Sequence, residues 1–121
     1  MQHAAKAYGK VATQTANPRE LEATLLLKAA SQLQAISDAW DRKKEGLNDA
    51  LLYNRRLWTI FLTEATQNEN PLPVQIRQNV ANLGLFVIKQ TMSLMADPHP
   101  QQLGDLININ RKLAAGLLGR A

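Results

Sequence analysis

The chain is 121 residues long, 45% apolar and 20% charged, an ordinary balance for one soluble globular domain spanning 1–121. It contains no cysteine, so disulfide staples, zinc–thiolate sites and thiol nucleophiles are excluded. The net charge of +4 invites an acidic partner, yet basic residues cluster only briefly, as at Arg42-Lys43-Lys44 and Arg55-Arg56, not as the stripe that many phosphate contacts require.

The first residues, MQHAAKAYGKVATQ, lack the apolar run of a signal peptide. No segment approaches the ~20 apolar residues of a membrane span, so a cytoplasmic protein is expected. Residues 2–15 offer only Ala4, Tyr8 and Val11 for burial around Gly9, which predicts a loosely packed N-terminal helix. Asn17-Pro18 reads as an N-cap followed by proline at the first helical position, with Glu20 and Glu22 placed where the macrodipole favours acids. A helix over about 18–44 then presents Leu21, Leu25, Ala29, Leu33, Ile36 and Trp40 on one side.

Gly46 separates this pattern from the next, over about 47–67. There Leu47, Leu51, Trp58, Phe61, Leu62 and Ala65 form a main stripe, and Tyr53, Leu57 and Ile60 a second. The turn at 68–73, NENPLP, leads into a helix over about 74–96, also with two stripes. One is Ile76, Val80, Leu83, Val87 and Leu94; the other is Ala81, Leu85, Ile88, Met92 and Met95. After the turn Asp97-Pro-His-Pro100, a last helix over about 101–118 presents Leu103, Leu106, Ile107, Leu113, Ala114 and Leu117. No alternating β-branched run occurs, so the expected fold is all-α: a single-domain bundle of four or five helices with short loops. Two-striped helices touch neighbours on two sides, which predicts that those at 47–67 and 74–96 are central.

Catalytic chemistry finds little to stand on, and no enzyme, metal or cofactor is expected. His3 lies near the terminus and His99 in a proline-rich turn, while Asp38 and Asp41 share a solvated flank. None of the phosphate-loop, dinucleotide, nucleophile-elbow or zinc-helix motifs occurs. Asn54 and Asn110 fall within apolar stripes, where a buried amide must find partners or cost about 1–3 kcal/mol; they read as core asparagines that set helix register, or else as a polar spot offered to a partner. Arg56 points away from the main stripe and Arg55 flanks it; both suit a solvated or partner-facing surface. Phe86 shares its sector with Asn79, Asn82 and Lys89, an anchor ringed by polar groups of the kind found at binding surfaces. Gly84 in mid-helix points to close helix approach.

Several stretches taken together go further. YNRRLWTIFL at 53–62, NPLPV at 70–74 followed by RQNVANLGLFVIKQT at 77–91, and Asp97-P-x-P with LININR at 106–111 and AAGL at 114–117 resemble the FlaF family of flagellar biosynthesis regulators. AYGKVATQT and PRELEATLLLKAA extend the likeness towards the start. The resemblance implies a non-enzymatic protein that promotes flagellin synthesis or secretion, with flagellin itself as partner and an export-chaperone mode of action. Two alternatives stay open: direct binding of flagellin messenger RNA, and an adaptor acting through the companion regulator FlbT. Direct nucleic-acid binding is not expected, because no basic face with interleaved aromatics is apparent beyond short groupings such as Arg55-Arg56 with Tyr53 and Trp58.

Overall fold

Local rules account for most helix ends in the computed structural model, which describes residues 18–67, 69 and 71–120. Helix α1, Pro18–Asp38, opens on proline with Glu20 in its first turn. Ala39 leaves helical geometry (φ −126°, ψ 46°), and a single turn, α2 at Trp40–Lys43, passes into a 3₁₀ turn at Lys44–Gly46. The expected continuous helix to residue 44 is therefore broken at Ala39. Helix α3 spans Leu47–Ala65 and α4 spans Val74–Ala96, the latter entered through Pro73 in an extended conformation. Helix α5, Pro100–Leu117, again carries proline at its start. It closes on Gly119 at φ +73°, where Arg120 N–H reaches Ala115 O (2.7 Å) and Gly119 N–H reaches Gly116 O (3.1 Å). This is the Schellman arrangement, and its left-handed residue is glycine for want of a clashing Cβ. The expected helix near 2–15 and the Asn17 cap lie outside the described residues.

The described residues form an all-α bundle without strands. Its interior is filled from four helices: Leu26 and Leu33, Leu51 and Trp58, Val87 and Leu94, and Leu103 and Leu106 are all fully buried. Trp58 and Phe61 meet edge to face, with ring centroids 5.8 Å apart.

The arrangement of neighbours corrects one expectation. Helix α1 packs most extensively on α5 and also on α3, while α4 leans on α3 and touches α5 only lightly. Thus α3 is central as its two stripes require, but α4 is peripheral and α1 takes the second central place. The small side chains of Ala23, Ala30 and Ala114 are buried to 1% exposure or less and let α1 and α5 approach closely. Ala23, Leu26 and Ala30 add a buried side to α1 beyond the stripe read from its sequence. On α4 the reverse holds: Gly84, Val87, Thr91 and Leu94 are buried, but Leu85, Met92 and Ile76 are exposed. No helix among the described residues is long and apolar enough to cross a membrane.

Candidate functional site

The residues singled out on α4 form one exposed flank. Phe86 is 43% exposed, and Asn79, Asn82 and Lys89 are exposed around it. Helical spacing sets all four on one side of the helix, away from the buried line Gly84–Val87–Thr91–Leu94. Arg55 and Arg56 are exposed on α3 and, with Leu52, Thr59 and Ile60, line a shallow depression of about 270 Å³.

These two sets do not merge into one site. The backbone of Gly84 faces Leu62 and Trp58 across the α3–α4 contact. Arg55, seven residues before Leu62, lies on that same side of α3. Between it and the Phe86 flank runs a strip of α4 bearing Val74 (67% exposed), Leu85 (53%) and Met92 (60%). Sequence reasoning assigned Leu85 and Met92 to a stripe touching a neighbour, so these two exposed apolar residues of the helix were missed as surface.

Asn54 and Asn110 are fully buried and joined to each other. Trp58 Nε1–H donates to Asn110 Oδ1 (2.8 Å), and Asn110 Nδ2–H donates to Asn54 Oδ1 (2.7 Å). Asn110 Nδ2 also lies 3.4 Å from the main-chain oxygen of Leu26. The indole can only donate, so it orients Asn110, which in turn orients Asn54. The chain of donors ties α3, α5 and α1 together at one level. Both asparagines are thus structural and shut away from any partner.

A second concavity, of about 410 Å³, opens where the start of α1 meets the ends of α3 and α5. Phe61, Leu72, Val80, Leu113 and Leu117 line its apolar part, with Glu22 and Glu64 beside them. Burial first, then repulsion from Glu64, raises the Glu22 pKa to about 7, against the lowering effect of Arg19. Burial also raises Glu64. The described lining holds no serine, threonine, histidine or lysine beside the two carboxyls. His99 lies 3.0 Å from Asp97 on the exposed turn before α5; His3 is outside the described residues. Asp38 accepts from Gln34 Nε2 (2.8 Å), and both it and Asp41 are exposed. Among the described residues no group of three or more histidines and carboxylates could hold a metal ion.

The family model of the flagellar protein FlaF matches residues 4–117, nearly the whole chain. The chain belongs to the FlaF family. No curated protein and no solved structure matches it. A flagellar role follows from the family. Within this FlaF-family bundle the outer side of α4 leaves Val74, Leu85, Phe86 and Met92 exposed. The signal for Leu85 and Met92 was present in the sequence as the second stripe of α4, but a stripe alone does not say whether a neighbour covers it.

Proposed function

We propose that this FlaF-family chain is a non-enzymatic regulator of flagellum biogenesis that binds flagellin in the cytoplasm as an export chaperone and so promotes flagellin synthesis and secretion. The observation that carries this reading is the uncovered side of α4, where Phe86, Leu85 and Met92 stand exposed beside the amides Asn79 and Asn82. An apolar anchor with a polar rim on a helix suits the capture of an amphipathic helix from a cargo protein. The messenger-binding alternative loses the stacking groups it had beside Arg55 and Arg56. Trp58 is fully buried, and Tyr53 is half-buried with Lys28 Nζ 5.8 Å from its ring centroid. Arg55 and Arg56 alone are a weak basis for binding single-stranded RNA.

Titration of purified flagellin into the protein tests the reading. A saturable one-to-one complex is expected, weakened about thirtyfold by Phe86→Ala if the ring contributes about 2 kcal/mol as an anchor. Unchanged affinity in Phe86→Ala would remove that residue from the site. Absence of binding by either protein would sink the chaperone reading and leave action through a FlbT-like regulator.

A further inference from the structure

Helix α4 carries two lines of residues with the same spacing. Val80, Gly84, Val87, Thr91 and Leu94 follow one another at steps of four and three and face the bundle. Val74, Gln78, Ala81, Leu85, Ile88, Met92 and Met95 repeat the same alternation of four and three along the neighbouring side. In this second line Val74, Leu85 and Met92 are exposed, while Ala81, Ile88 and Met95 are half-covered. Three heptads of this kind form a seam about 33 Å long at 1.5 Å per residue. A seam with a 3.5-residue period is complementary to another helix and to little else, because its knobs and holes recur in step with a second helix laid along it. Methionines at its end add side chains that adapt to a partner's shape.

Charge narrows the partner. Between Val74 and Ala96 the helix carries Arg77 and Lys89 and no carboxylate. Across the α3 contact the seam is bordered by the side of α3 that carries Arg55, with Arg56 one position further out, both exposed. Of the carboxylates of α3, Glu64 lies on its other flank, while Asp49 stands two turns before Arg56 on the outer side, away from the α4 contact. A second copy of this chain would set the same basic rim against itself, since a twofold interface pairs a patch with its own image. The chain's residues 1–17 bring Lys6 and Lys10 and no carboxylate, so they do not complement the rim either.

We infer that the Val74–Met95 seam of α4 docks an amphipathic helix of a partner protein, apolar at heptad spacing and flanked by carboxylates that meet Lys89 and Arg55. Under the function proposed above, on which this assignment of the partner rests, that helix belongs to flagellin. Phe86 then stands at the edge of the docked helix, and Leu85 and Met92 lie beneath it. Burial of these side chains supplies affinity, and the basic rim selects the partner and speeds encounter.

Two probes keep the seam and the function separable. One is purified flagellin; the other is a stapled helical peptide with leucine at the two heptad core positions and glutamate at the flanks, compared with the same peptide carrying lysine at the flanks. The full chain is expected to bind the glutamate peptide at least about tenfold more tightly than the lysine peptide, and the preference should shrink with added salt. Leu85→Asp and Met92→Asp, both at exposed positions, are each expected to weaken binding of peptide and flagellin at least about tenfold, with unchanged helical circular dichroism. The double charge reversal Arg55→Glu, Lys89→Glu should invert the peptide preference without touching the apolar line. Equal binding of the two peptides, or wild-type affinity in both aspartate variants, would overturn the seam even if flagellin binds elsewhere. Binding of the glutamate peptide without any binding of flagellin would keep the seam and overturn the flagellin reading. A wild-type dimer in sedimentation that Leu85→Asp disperses would overturn the hetero-partner in favour of a second copy.

Discussion

Trp58 shows how one residue can decide a core. Its ring is fully buried among residues of the main stripe, and its N–H begins the donor chain through Asn110 to Asn54. Trp58→Ala is expected to cost about 3–5 kcal/mol through the cavity it leaves. Trp58→Phe keeps most of the ring but strands the Asn110 oxygen, for an expected loss of about 1–3 kcal/mol. Urea denaturation measures both, and a Trp58→Phe loss below about 0.5 kcal/mol would show that packing alone matters there. Gly84 makes the opposite case. A Cβ at this position would sit 3.5 Å from Leu62 Cδ1 and 3.6 Å from the Trp58 ring, which is ordinary contact. Gly84→Ala is therefore expected to stabilise the protein by up to about 1 kcal/mol, the helix-propensity difference. A lower melting temperature in that variant would mean that the α3–α4 approach has no room for a methyl group. The burial of Trp58 was legible from its place in a stripe. The bond between Asn110 and Asn54 was legible only as two amides needing partners, since sequence does not say which helices meet at the same level.

At the scale of elements, the helix ends hold one further consequence. Where α1, α3 and α5 meet, the raised pKa values of Glu22 and Glu64 mean that the folded state holds protons which the unfolded chain releases. The sign follows directly: the folded pKa of Glu22 lies above its unfolded value, so the contribution of this group to stability is greatest below about 4.5, falls as pH rises, and levels off above about 7. Thermal unfolding across that window should show the decline, and Glu22→Gln should flatten it. A melting temperature that rises from pH 4.5 to 7 in the wild type but not in Glu22→Gln would reverse the assignment. Element boundaries were largely readable beforehand. Proline at the start of α1, the Gly46 break and the 74–96 pattern all reappear as helix limits, while Pro100, read as the end of a turn, is the first residue of α5. The break at Ala39 was not readable, because AISDAWDRKK carries neither proline nor glycine and its apolar residues continue the helical spacing.

For the whole molecule, periodicity and the absence of strand patterns sufficed for an all-α bundle, and the ordered stretches from 53 to 117 sufficed for the FlaF family, which the match over residues 4–117 shows. Those properties are local: each helix needs only its own spacing, caps and breakers, and a family is recognised by residue order. What the tertiary structure alone decided is which stripes find neighbours. Read in isolation, α1 had one apolar side and α4 had two. Yet Ala23, Leu26 and Ala30 are buried in the α1–α5 contact, while Leu85 and Met92 are left open. Small residues made the difference, because alanine contributes little to an apolar stripe but lets two backbones come close. A helix face becomes core or binding surface according to whether another helix of the chain reaches it, and that is a property of the assembled bundle rather than of any one segment.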